Sequence, residues 1–177
     1  NISAPVASLS RSTSTESTAG FLQTEEIFLP YYIPFMATAE DGADKIFYLE
    51  NGVDAAIGSI STFKHSAVAK AFGSSFTEWL PQFPNQNLIT LTTKPSAEVP
   101  GHLFFVDPRT KSFTKIIGDI KGLTTLTSHN GKFVLYAETK DNHPELSVYD
   151  VSKGVATSLS LQTLPEKCAW SKKNSSL

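Results

Sequence analysis

The strongest constraint on this chain is an internal repeat. Two hairpin-like segments and the start of a third recur along the sequence. The first spans Phe76 to Thr93 around Pro84-Asn85-Gln86-Asn87, and the second spans Leu123 to Glu138 around Ser128-His129-Asn130-Gly131-Lys132. The third begins at Glu166-Lys167-Cys168-Ala169-Trp170 and runs to Leu177. Aligning the first apolar residue after each turn gives Leu88, Phe133 and Leu177, which lie 45 and 44 residues apart. A second hairpin type alternates with it: Lys45–Gly52 followed by Val53–Ile60, His102–Lys111 followed by Ser112–Ile117, and Glu145–Gly154 followed by Val155–Leu161. Each carries turn chemistry. Asn51-Gly52 and Gly154 supply positive φ, and Pro108 presets φ at a turn position.

The segments between turns read as strands. From Ile27 onward, Phe, Tyr, Val, Ile and Thr dominate runs of 5–8 residues bounded by Gly, Pro, Asn or Asp. Alternation with Thr is clearest in Leu88–Thr93 and Leu123–Thr127. One short helical stretch is expected, His65 to Phe72. A period near 44 residues with four strands per unit is the pattern of propeller blades. The segment Cys168-Ala169-Trp170-Ser171-Lys172-Lys173-Asn174 resembles the repeat motif of TolB-like, WD40-like propellers, in which an apolar-x-Trp-Ser segment precedes a Pro-Asp-Gly-type turn. Lys173 and Asn174 stand where that turn carries Asp and Gly. Ser128–Val134 keeps the Asn-Gly turn without the Trp, and Glu78-Trp79-Leu80 keeps a Trp before a longer turn.

The resemblance covers Tyr31 to Leu177 and implies an all-β fold of four-stranded antiparallel blades, three to four in number. At ~44 residues per blade the stretch makes about three and a third blades, short of the four to eight of closed propellers, so the chain is expected to be part of a larger one, with open edge strands available to the rest of the propeller or to another chain. A small β-sandwich or barrel is the alternative fold. Residues 1–24 are expected to form a flexible lead-in and 25–177 the propeller-like domain. The first twenty residues hold nine Ser or Thr and too few large apolar groups to offset the entropy of ordering.

Composition excludes several functions. The chain has 177 residues, a formal net charge of -2 and no basic block, which argues against a nucleic-acid surface. No apolar run reaches the ~18 residues a membrane-spanning helix needs. The single Cys168 excludes an internal disulfide or multi-Cys zinc site.

No catalytic, cofactor-binding or metal-ligating set emerges. The four histidines, His65, His102, His129 and His143, have no ligand spacing; His143 with Asp141 is the nearest approach to a metal pair. Glu138 with Asp141, or Asp41 with Asp44, are carboxylate pairs that read as solvated turns. Gly58-Ser59-Ile60-Ser61 and Gly73-Ser74-Ser75 lack the Gly-x-Ser-x-Gly frame. Cys168 reads as a small hydrophobe in an apolar strand. Tyr31, Tyr32, Phe35, Phe47, Tyr48, Phe104, Phe105 and Tyr149 read as inter-blade packing, whereas Trp79, Phe83 and Pro84 near a turn are candidates for a binding surface. Asn1-Ile2-Ser3 and Asn174-Ser175-Ser176 are glycosylation sequons if the protein is secreted in a eukaryote.

The expected function is a non-enzymatic binding or scaffold module for a protein or peptide partner, without cofactors, its binding residues unassigned. The alternatives are the accessory propeller of a larger hydrolase of prolyl-peptidase type and a cell-surface, lectin-like β domain. The Ser/Thr-rich start suggests an extracytoplasmic location, periplasmic or secreted.

Overall fold

The computed structural model describes residues 8–13, 23–28, 32–51, 55–64 and 67–171. Among them, β1 (Ser8–Thr13) and β2 (Gln23–Phe28) pair as a two-stranded antiparallel sheet. The next twelve strands form three four-stranded sheets, each in strict chain order. Blade 1 holds β3 (Phe35–Thr38), β4 (Ile46–Asn51), β5 (Ala56–Ser61) and β6 (Ala69–Ser74). Blade 2 holds β7 (Trp79–Asn85), β8 (Leu88–Thr93), β9 (Gly101–Asp107) and β10 (Ser112–Ile120). Blade 3 holds β11 (Thr124–Thr127), β12 (Phe133–Lys140), β13 (His143–Asp150) and β14 (Val155–Leu161). A 3-10 turn, Pro165–Lys167, follows.

The second strand of each blade is apolar on both faces or carries Thr on one, because neighbouring structure covers both. Ile46, Phe47, Tyr48 and Leu49 are all fully buried. Alternate residues of a strand point to opposite faces, so Phe47 and Leu49 share one side. They join Ile89 and Leu91 of β8, with Phe72 and Phe83, in the core between blades 1 and 2. Thr90 and Thr92 occupy the opposite side of β8 and meet blade 3. Val134 and Tyr136 of β12 pack with Leu103 and Ile117 of blade 2. Leu135 and Ala137, on the far side of β12, pack with Leu164, Cys168 and Trp170. The first strands are the thin edge of each stack: β3 lies against β7, and β7 against β11. Pro81 is tolerated in β7 because that edge strand pairs on one side only, with β8.

Blade interiors demand small residues where large rings arrive. Gly58 of β5 pairs with Phe72 of β6, and a Cβ at Gly58 would overlap the Phe72 ring. The register shifts at that point, between Gly58 and Ser59.

Three sequence expectations need correction. The segment ending at Phe72 is not helical where described: Ala69–Ser74 is strand β6, because pairing with β5 and burial of Ala71 and Phe72 outweigh a weak local preference. The hairpin Lys45–Ile60 is also out of phase with its supposed counterparts. It joins second and third strands of blade 1, whereas the other two join third and fourth strands of blades 2 and 3. The true first hairpin of blade 1 is β3–β4, with its turn at Ala39–Lys45. Finally, Cys168 does not lie in a strand. The Pro165 turn leads into extended chain without a partner strand through Ser171, and residues 172–177 lie outside the described region.

The turns closing blades 2 and 3 share one design. Asp107 Oδ1 accepts N–H from Arg109 at 2.8 Å and Thr110 at 3.4 Å. Asp150 Oδ1 accepts from the Ser152 hydroxyl at 2.6 Å, Ser152 N–H at 3.0 Å and Lys153 N–H at 3.1 Å. The turns end at Lys111 (φ 60) and Gly154 (φ 68), both left-handed. Only Gly adopts this region without penalty. Gly154→Ala is therefore expected to cost about 1 kcal/mol in denaturant unfolding, and Lys111→Gly to be neutral or stabilising by less than about 1 kcal/mol. The Ser152 hydroxyl, ahead of Lys153, holds the Asp150 carboxyl down at about 2 from its ordinary 3.8. A depressed folded-state value means the stabilisation is present above pH 3.8 and lost as pH falls through about 2. Asp150→Asn is expected to remove that part of the acid-induced loss in thermal melts between those limits.

Candidate functional site

The first hairpin of every blade turns on the same side of the stack, and the three turns touch. The link between blades 1 and 2 is Asp41, whose Oδ2 accepts the Gln86 N–H at 3.1 Å while Oδ1 accepts the Ala43 N–H at 3.1 Å. The Glu40 N–H donates to the Phe83 carbonyl at 3.4 Å. Blades 2 and 3 are linked by Asn85, whose Nδ2 donates to the His129 carbonyl at 2.7 Å. These partners are 43 to 45 residues apart, so the sequence period has become a spatial contact.

One pair skips a blade. Glu40 Oε2 of blade 1 stands 2.6 Å from His129 Nδ1 of blade 3. Nδ1 is enclosed, and the approach is not that of an aligned hydrogen bond. The His129 side chain is 28% exposed, and that exposure lies on side-chain atoms other than Nδ1. The turn beneath it is rigid: Asn130 Oδ1 accepts from the Ser128 hydroxyl at 3.0 Å and from Lys132 N–H at 2.9 Å, and Gly131 has φ 70. The ensemble of carboxylates, amides and an imidazole can bind polar groups of a ligand. Ser128 is fully buried and offers no accessible nucleophile beside His129.

Below the turns, blades 2 and 3 meet through a polar layer. Gln82 Nε2 donates to the Thr125 carbonyl at 2.6 Å, and Gln82 Oε1 accepts the Thr127 N–H at 2.9 Å. One side-chain amide thus satisfies two backbone groups of β11, as a strand residue would. The Thr92 and Thr125 hydroxyls share a hydrogen bond of 2.6 Å, and Thr127 donates to Thr90 at 3.4 Å. Gln82→Ala leaves two backbone groups short of partners and is expected to cost about 1–3 kcal/mol; denaturant unfolding of the variant checks this.

Other candidates take structural places. His102 Nδ1 accepts the Asp119 N–H at 3.3 Å. His143 starts β13 after a two-residue turn, Asp141-Asn142, with φ 47 and 66. Glu138 pairs with Lys140 at 2.7 Å. Among the described residues no three His, Cys, Asp or Glu side chains are arranged to hold a metal. Cys168 is half-buried in the core beside β12. His65 and both sequons lie outside the described residues. Phe83 is 1% exposed and Pro84 is buried, so neither lines a surface, contrary to expectation. Trp79 is half-buried between Phe76 and Phe104, with centroids at 4.8 and 5.8 Å. Nor is Trp79 the counterpart of Trp170. Gln82, Leu126 and Trp170 follow one another at 44-residue intervals, and Trp170 Nε1 donates to the Leu126 carbonyl at 3.1 Å.

Glu40 and Gln82 were not singled out by their types, and Asn85 was read only as a turn residue. The period places Gln82 in register with Leu126 and Asn85 with His129.

No protein-family model and no curated protein matches the sequence. Solved structures do match. The chain is similar to TolB from Acinetobacter baumannii at 10% identity and TM-score 0.55, covering 81% of this chain and 36% of TolB. It is similar to the β-propeller domain of the Trilobed protease from Pyrococcus furiosus at 15% identity and TM-score 0.52, covering 71% of this chain and 41% of that one. It is similar to the tricorn protease at 13% identity and TM-score 0.52, covering 78% of this chain and 14% of that one. The likeness establishes the fold as a run of β-propeller blades. The chain spans less than half the length of each of these proteins.

Proposed function

We propose that this run of propeller blades is a binding or scaffold module for a protein or peptide partner, with the three first-hairpin turns as its recognition surface. The observation that carries this reading is the convergence of Glu40, Asn85 and His129, one from each blade. A ligand laid across these turns would touch all three blades at once, and rigid backbone presents polar groups without further ordering cost. Chemistry within this chain is not part of the reading. The Ser/Thr-rich start supports an extracytoplasmic location, and no helix among the described residues is long and apolar enough to cross a membrane.

A second reading has one observation in its favour: two of the similar structures belong to proteases. On that reading the blades accompany a hydrolase region, and Gly-x-Ser-x-Gly in an α/β segment of the complete reading frame would support it.

Quantitative affinity capture from extracts of the source cells, comparing wild type with Glu40→Gln and His129→Ala, tests the first reading. Loss of the captured partner by about tenfold or more, with unchanged circular dichroism, is the expected result. Undiminished capture by both variants would remove these turns as the recognition surface.

A further inference from the structure

At the end of the inner strands opposite the turns, a cleft of about 230 Å³ opens between blades 2 and 3. Leu80, Gln82, Thr92, Thr124, Leu126 and Glu166 help to line it. We propose that this cleft is a binding site for a primary ammonium group on a short alkyl stem, in the form of a lysine side chain of a bound polypeptide. The proposal deepens the binding-module reading by naming a side chain the partner presents.

Size comes first. The cleft is smaller than the ~300–1,000 Å³ of sites for whole drug-sized ligands, and suits one side chain. Its walls divide by chemistry. Leu80, 44% exposed, stands at the lip with Leu126, and apolar walls suit an alkyl stem. Glu166 is the one charged residue of the lining, and it makes no ion pair or hydrogen bond among the described residues. An unneutralised carboxylate beside an apolar wall repels anions and complements a cation whose stem is apolar, which is how lysine distributes its surface.

The hydroxyls supply the remaining contacts. Those of Thr92 and Thr125 are already paired with each other. The Thr124 hydroxyl is enclosed and has no hydrogen-bond partner among the described residues, a state that costs free energy. Rotation about χ1 exchanges the hydroxyl and methyl positions of a threonine, and an ammonium in the cleft would give that oxygen a donor. Lysine carries three such donors, enough for Glu166 and a hydroxyl together. The site is fixed on its walls by the Gln82 bridge to β11 and on its rim by the 3-10 turn that carries Glu166.

Titration of the full chain with N-acetyl-lysine amide, followed by amide NMR shifts, tests the proposal. Saturable shifts confined to residues around Gln82, Thr124–Leu126 and Glu166 are expected. N-acetyl-norleucine amide, which keeps the stem and lacks the ammonium, should bind at least tenfold more weakly. Glu166→Gln, an exposed position, should bring the lysine compound to the norleucine level, and Leu80→Ala should weaken both. Equal affinities for the two compounds, an unchanged titration in Glu166→Gln, or no saturable shift would each overturn the proposal. If that occurs while Glu40→Gln and His129→Ala still abolish partner capture, the cleft assignment fails and the turn-surface reading stands.

Discussion

Everything else in this structure depends on burial of the second strand of each blade from both sides. A sheet face left in water gives back the stabilisation of its apolar side chains, about 1.5–3 kcal/mol for each large one. Here β4, β8 and β12 have no wet face along their central residues. Phe47 and Leu49 need β8, and Val134 and Tyr136 need blade 2. A single blade of this design has nothing to cover it, so the blades are stable only as a stack. The layer over blade 3 is unlike the others: Leu164, Cys168 and Trp170 lie over Leu135 and Ala137, and among the described residues they form no sheet.

The two interfaces between blades solve that requirement differently. Between blades 1 and 2 the contact is aromatic and aliphatic, with Phe47 about equally far from Phe72 and Phe83, 6.1 and 6.0 Å between ring centroids. Between blades 2 and 3 it is apolar on the outside and hydroxylic toward the inner strands, where Gln82 and four threonines exchange hydrogen bonds. Polar contacts contribute little net stability but are costly when mismatched. They therefore fix how one blade slides on the next more strictly than an apolar surface does. The consequence is positional: Asn85 and His129 meet in register, and Glu40 reaches His129 across the intervening blade. The proposed recognition surface and the proposed cleft sit at opposite ends of this same polar seam.

Much of the architecture was legible because its signals are local or periodic. The turns at Asn85–Asn87, Ser128–Lys132 and Gly154 announce themselves by residue type, and the 44–45 residue spacing announces the repeat. What was not legible depends on neighbours far along the chain. Lys45–Ile60 carries the Asn-Gly turn of a hairpin, but which two strands of a blade it joins is decided by packing against Ile89 and Leu91. The part of the His65–Phe72 stretch from Ala69 on, read as helix, is strand instead, because β5 offers hydrogen bonds and Phe72 finds the space above Gly58. Cys168–Ser171 looks like the two earlier first strands, yet nothing among the described residues pairs with it. Of the site, His129 and Asn85 were visible as turn residues, whereas Glu40 and Gln82 are ordinary surface types. Only the period links them, and a period shows its chemistry only after the blades are stacked. Trp79 misled in the opposite way: its type matched the repeat motif, but the register belongs to Gln82.

The central claim is that consecutive repeats stack face to face through the seam between β8 and β11. Thr92 and Thr125, whose hydroxyl oxygens lie 2.6 Å apart, face each other across this seam, so cysteines at both positions would bring their sulfurs within reach of disulfide formation. With Cys168 replaced by Ala so that no other thiol competes, Thr92→Cys/Thr125→Cys should oxidise in the folded protein to an intramolecular disulfide, detected by intact mass and by peptide mapping. Folded protein that retains both thiols free under the same oxidising conditions would contradict the stacked-blade arrangement.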